Sequence, residues 1–130
     1  MYFKKAAIGF ILIGAFTLNL GFVYGDIDNP LHHNLYEFYL VIVINLLAMV
    51  LKMSDKSAIG SILLASSFVA IAQLLCAALL FSFIPDYYNI VEMKDMELLN
   101  SGLSMATGAL AANFVSVVLI IVETSKNRNV

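Results

Sequence analysis

The chain has 130 residues, 62% of them hydrophobic and 12% charged, with a net charge of −2 and a mean hydropathy of +0.93. Soluble domains carry about 25% charged residues, so this composition excludes an ordinary water-soluble domain and places the chain in a bilayer. A pI near 5.5 with few bases excludes a nucleic-acid-binding surface.

Four continuous apolar stretches follow one another, 6–24, 35–51, 57–84 and 101–122. Each is about long enough, as a helix, to cross a ~30 Å hydrocarbon core. A spanning barrel would instead show alternating segments of about 10 residues. The pattern predicts an all-α membrane protein, a single domain over 1–130 with four transmembrane helices. Lys4 and Lys5 before the first stretch resemble the start of a signal peptide. That stretch is longer than a signal core and no A-x-A site follows it, so it is read as a span. Cys76, inside the third stretch, is the single cysteine, which rules out an intrachain disulfide.

The first connection, "GDIDNPLHHNLYEF", holds Asp26, Asp28, His32, His33 and Glu37 between turn-forming Gly25 and Pro30. Imidazole and carboxylate suit zinc and similar ions, but adjacent histidines rarely converge on one ion. No HExxH or Cys-x-x-Cys spacing supports them. No metal and no cofactor is expected, and His32 and His33 are the only metal candidates. The third connection, over 85–100, contains "NIVEMKDMELL" with Asp86, Glu92, Asp95 and Glu97. Asn89 with Glu92 three residues on reads as a helix N-cap, which predicts a short helix in this connection, either separate or as an extension of the fourth span. Tyr24, Tyr36, Tyr39, Tyr87 and Tyr88 form an interfacial belt beside these two connections.

Basic residues resist translocation and set orientation. Lys4, Lys5, Lys52, Lys56, Lys126 and Arg128 fall on one side, leaving only Lys94 on the other, so both termini are expected in the cytoplasm. The outer side then carries a formal −6 and the inner side +4. The outer acidic rim comprises Asp26, Asp28, Glu37, Asp86, Glu92, Asp95 and Glu97.

"KAAIGFILIGA" from Lys5 and "KSAIGSILLAS" from Lys56 agree at six of eleven positions, aligning Gly9 with Gly60. "NLLAMVLKMSDK" and "NFVSVVLIIVETSK" each run from an amide to a charged end. The chain therefore reads as a two-helix hairpin used twice in the same direction, 1–55 and 56–130.

No ionisable residue sits in the middle of a span, which argues against a proton-coupled pump. Each span carries one carboxamide instead: Asn19, Asn45, Gln73 and Asn113. These predict two amide layers that either pack the helices or line a path. Ser104, Gly108, Ala112 and Ser116 add a stripe of small residues every four positions on the fourth span, a pattern that lets helix backbones approach closely. Ala65, Ser66, Ser67 and Ala70 form a similar cluster on the third.

"INLLAMVLKMS", "ASSFVAIAQLL" and "AANFVSVVLIIVETSK" resemble segments of a family of small, uncharacterised four-span bacterial inner-membrane proteins. The resemblance implies bacterial inner-membrane location and no site residue. Small multidrug transporters fit less well, because they would require a glutamate within the first span. No nucleophile elbow, phosphate loop or Rossmann glycine pattern is present, so the chain is not expected to be an enzyme. Three functions stay open: a non-catalytic subunit packing against itself or a larger channel or respiratory assembly, a small oligomeric channel or facilitator with an acidic mouth, and a metal-binding protein of the outer surface.

Overall fold

A computed structural model describes residues 2–26, 29–53 and 57–127, with the side chains of 2–5 and 127 left out. Asp28, Asp55, Lys56 and Arg128 lie outside the described residues, as do the side chains of Lys4 and Lys5. Four long helices run in chain order: α1 (Tyr2–Val23), α2 (Leu35–Lys52), α3 (Ala58–Ser82) and α4 (Met93–Asn127). A single 3₁₀ turn, Pro30–His32, interrupts the first connection. All four helices are long and apolar enough to span a membrane.

Local chemistry explains most of the boundaries. α1 stops just before Gly25, whose φ of +111° is one that side chains with a Cβ rarely adopt. Asn29 accepts from Leu31 N at 3.0 Å, and Pro30 is pre-set for the first turn position, so the short 3₁₀ turn forms there. Asn34 Oδ1 accepts from Tyr36 N at 2.7 Å and starts α2. Ser57 Oγ accepts from Gly60 N at 3.0 Å and starts α3. The predicted extension of the fourth span is present, but the helix opens at Met93. Glu92 O accepts from Asp95 N and Met96 N, both at 3.2 Å. Asn89 turns instead to Asp86, donating from Nδ2 to Oδ2 at 3.3 Å.

Each helix packs mainly on two neighbours, α1 on α2 and α4, and α3 on α2 and α4, with the α3–α4 pairing the most extensive. The connections alternate between ends. The end holding the 24–34 and 83–92 connections carries most of the acids and is called the acidic end; the opposite end holds Lys52. The core changes character along the bundle. At the acidic end Phe22, Phe38, Phe81 and Tyr87 form an aromatic cluster, with ring centroids 5.0 Å apart for Phe22–Phe38 and 5.1 Å for Phe38–Phe81. Gly102 makes room for it, since a Cβ there would overlap the Phe81 ring. Further along, Ala70, Ala77, Ala106 and Ala109 let the backbones close in around Leu74 and Leu103. Between membrane helices, where lipid is as apolar as leucine, such close van der Waals contact is the main attraction.

Candidate functional site

Polar side chains gather inside the bundle at two places. The first is at the basic end. Lys52 is the last residue of α2 and only 4% exposed. The buried positions Val41, Asn45 and Ala48 continue to Lys52 at helical spacing, so its side chain points inward rather than into the connection where sequence alone placed it. Its ammonium donates to Ser67 Oγ at 2.6 Å, Ser116 Oγ at 3.2 Å and Leu63 O at 3.3 Å. Ser116 and Ser66 share a hydroxyl hydrogen bond at 2.5 Å, and Ser66 donates on to Leu63 O at 2.9 Å. One cation thus ties α2 to α3 and α4 with all three ammonium hydrogens engaged. No carboxylate pairs with it among the described residues.

The second place is the acidic end, where His33 is fully buried. Its Nδ1 lies 2.8 Å from Phe22 O and its Nε2 2.8 Å from Asp26 O. Tyr87, itself buried, donates to His33 O at 2.7 Å, and Tyr88 Oη accepts from Leu35 N at 2.9 Å. Burial, and secondarily Tyr88, push the Tyr87 hydroxyl's pKa upward, so it remains a donor. His32 is exposed, and its Nδ1 accepts from Asp26 N at 3.0 Å. The two histidines therefore grip opposite sides of one residue, Asp26. Neither is turned toward a shared ion, and no group of three potential metal ligands occurs among the described residues. A shallow cleft of about 210 Å³ beside them is lined by Gly21, Tyr24, Gly25 and His32.

The four amides separate. Asn19, fully buried, faces α4 with Nδ2 3.2 Å from Ala106 O and Oδ1 3.0 Å from Leu110 N, the pair that a helix joins across one turn. Asn45 donates to Val41 O of its own helix at 2.8 Å. Gln73 lies against Gly108, where a Cβ would come within 2.5 Å of Nε2, and its buried Oε1 has no hydrogen-bond partner. Asn113 is buried. Of the small residues, Ser116 is buried in the Lys52 network, Gly108 and Ala112 are half-buried, and Ser104 is exposed. Gly60 is buried, whereas an added Cβ at Gly9 would meet nothing within 4 Å.

The acids are spread rather than convergent. Asp26, Asp86, Glu92 and Glu97 are exposed, Glu37 lies over Gly21, and Asp95 is buried at the start of α4. Glu92 and Lys94 form an exposed ion pair at 3.5 Å, a kind that contributes little.

Residues 32–124, about seven-tenths of the chain, match a family of unknown function designated DUF6394. The chain belongs to that family. The matched region begins at His32 and takes in Lys52, Ser67, Tyr87 and Ser116, while α1 lies outside it. No curated protein and no solved structure matches the chain. The Lys52 cluster had one legible signal, the buried spacing that runs through α2. The His33 cluster had none, because two of its acceptors are backbone carbonyls.

Proposed function

We propose that this protein is a multi-pass, non-catalytic subunit of the bacterial plasma membrane, with both termini in the cytoplasm, that packs against copies of itself or a larger membrane assembly. The observation that carries the reading is the outer surface of the bundle. Phe10, Val43, Val50, Ile62, Phe68 and Leu79 are at least half exposed and lie on α1, α2 and α3, and Phe114 and Ile121 continue the surface on α4. Isolated apolar residues on a surface are ordinary, but an all-round apolar surface needs lipid or protein against it. The interior supports packing rather than passage: Asn19 and Asn45 give their hydrogen bonds to backbone groups. Phe22, Leu74 and Leu103 fill the bundle between them.

Native mass spectrometry of the full chain in lipid nanodiscs tests the reading. A defined oligomer, or a co-purifying membrane protein that follows the chain through two independent tags, is the expected result. A monomer without a partner overturns it. Reporter fusions at each terminus check the orientation, and a terminus outside the cytoplasm contradicts it.

A further inference from the structure

The hydrogen bonds of His33 do not balance for a neutral ring. A carbonyl oxygen only accepts, and both ring nitrogens lie 2.8 Å from one, Phe22 O and Asp26 O. A neutral imidazole has one N–H and one lone pair, so it serves one carbonyl and turns a lone pair on the other; the imidazolium serves both. We propose that His33 is a proton-dependent latch at the acidic end, bonded to both carbonyls as the imidazolium and releasing one of them when neutral.

Both contacts present the negative end of a carbonyl dipole to the ring. Phe22 O is among the last carbonyls of α1, which lack a partner within the helix and carry the negative end of its dipole. A charged donor also makes the stronger bond. The neighbouring histidine provides the contrast within one loop. Asp26 gives its N–H to His32 Nδ1, which accepts through a lone pair, whereas its carbonyl faces His33 Nε2, which can bond to it only when protonated.

The latch joins three parts of the molecule. Phe22 O is fixed in α1, Asp26 O sits on the first connection, and the His33 carbonyl receives Tyr87 from the connection between α3 and α4. Loss of one proton releases Asp26 O, which keeps a second donor in Asn29 N–H at 3.1 Å, rather than Phe22 O at the end of α1. The cleft lined by Gly21, Tyr24, Gly25 and His32 lies on the Asp26 arm. The other titratable groups near this end on the described parts of the surrounding elements are Tyr24, Asp26 and His32 on the first connection, Tyr36, Glu37 and Tyr39 on α2, Asp86, Tyr87, Tyr88 and Glu92 on the connection after α3, and Lys94, Asp95 and Glu97 on α4. The helical part of α1 next to Phe22 contributes none. The carboxylates bring a pH dependence of their own, so the His33 contribution is a difference between variants.

Histidine-selective ¹⁵N NMR of the full chain in nanodiscs, from about pH 5 to about pH 8, reads the ring directly. The expected spectrum at the acid end of that range has both His33 nitrogens protonated. An unprotonated His33 nitrogen throughout overturns the proposal. Because the extra proton is bound by the latched state, stability should be full below the ring's titration and fall as pH rises through it. Wild type should therefore lose about 4 °C of melting temperature across the range relative to His33→Gln. The difference in slope between wild type and His33→Gln should persist on a His32→Gln background. Equal slopes in wild type and His33→Gln overturn the proposal even if the variant is less stable overall.

Discussion

A buried ammonium whose partners among the described residues are all neutral oxygens makes an asymmetric prediction at the level of single residues. Lys52 meets two hydroxyls and one carbonyl, and its shortest bond, 2.6 Å, is to Ser67. Ser67→Ala removes that acceptor and leaves the charge in place, so it should destabilise by about 1–3 kcal/mol. Lys52→Met removes the charge itself and keeps a similar volume, and replacing buried charge by apolar packing is often neutral or stabilising. The expected order in denaturant titrations of the reconstituted protein is therefore Ser67→Ala below wild type and Lys52→Met at or above it. The reverse order would show that the ammonium contributes more than it costs. Asn19 makes a related point: its amide bridges Ala106 and Leu110, so it holds α1 to α4 without opening the helix it touches.

At the scale of elements, α3 depends on its first turn. Ser57 Oγ takes the Gly60 N–H at 3.0 Å, one of the donors that a helix start leaves without a partner. Ser57→Ala should cost about 1 kcal/mol, and hydrogen exchange should show faster exchange of the Gly60 amide with little change near Leu74. Uniform acceleration along α3 would mean that the cap governs the whole helix rather than its end. The four helices were legible in sequence because a continuous apolar run of this length has few other solutions. Their boundaries were less so. Asn89 and Glu92 carry an N-cap spacing, yet Asn89 finds Asp86 within reach first, and the helix opens four residues later at Met93. Sequence alone sets Lys52 just beyond the second apolar stretch, among the bases of one side, where charge usually stays in water. The Val41, Asn45, Ala48 register shows why it does not here: the last turn of α2 aims it between Ser67 and Ser116. When the two sequence segments are aligned at Asn45 and Asn113, Ile120 stands opposite Lys52, so the likeness between them does not extend to this cluster. The His33 carbonyl contacts lay beyond any residue pattern, since Phe22 and Asp26 contribute backbone rather than side chains.

The whole molecule is apolar on its outer surface as well as in most of its core, and a soluble bundle differs from it in the first respect. At about 1.5 Å per residue, the 35 residues of α4 extend about 50 Å, well beyond a ~30 Å hydrocarbon core, while the 18 residues of α2 extend about 27 Å, roughly its thickness. The surroundings of the bundle therefore vary with depth, and Cys76 is placed to report on them. It is exposed on α3 between outward-facing Leu75 and Leu79, six residues or about 9 Å before Ser82. In water such a thiol would react freely. With lipid or a partner against that face, a membrane-impermeant charged maleimide should leave Cys76 unlabelled in intact membranes from either side and label it once the protein is denatured. A Ser82→Cys variant on a Cys76→Ser background, at the acidic end of the same helix, should label from one side only. Rapid labelling of Cys76 in sealed vesicles would place α3 outside the hydrocarbon, and with it the reading of the outer surface as one that is always covered.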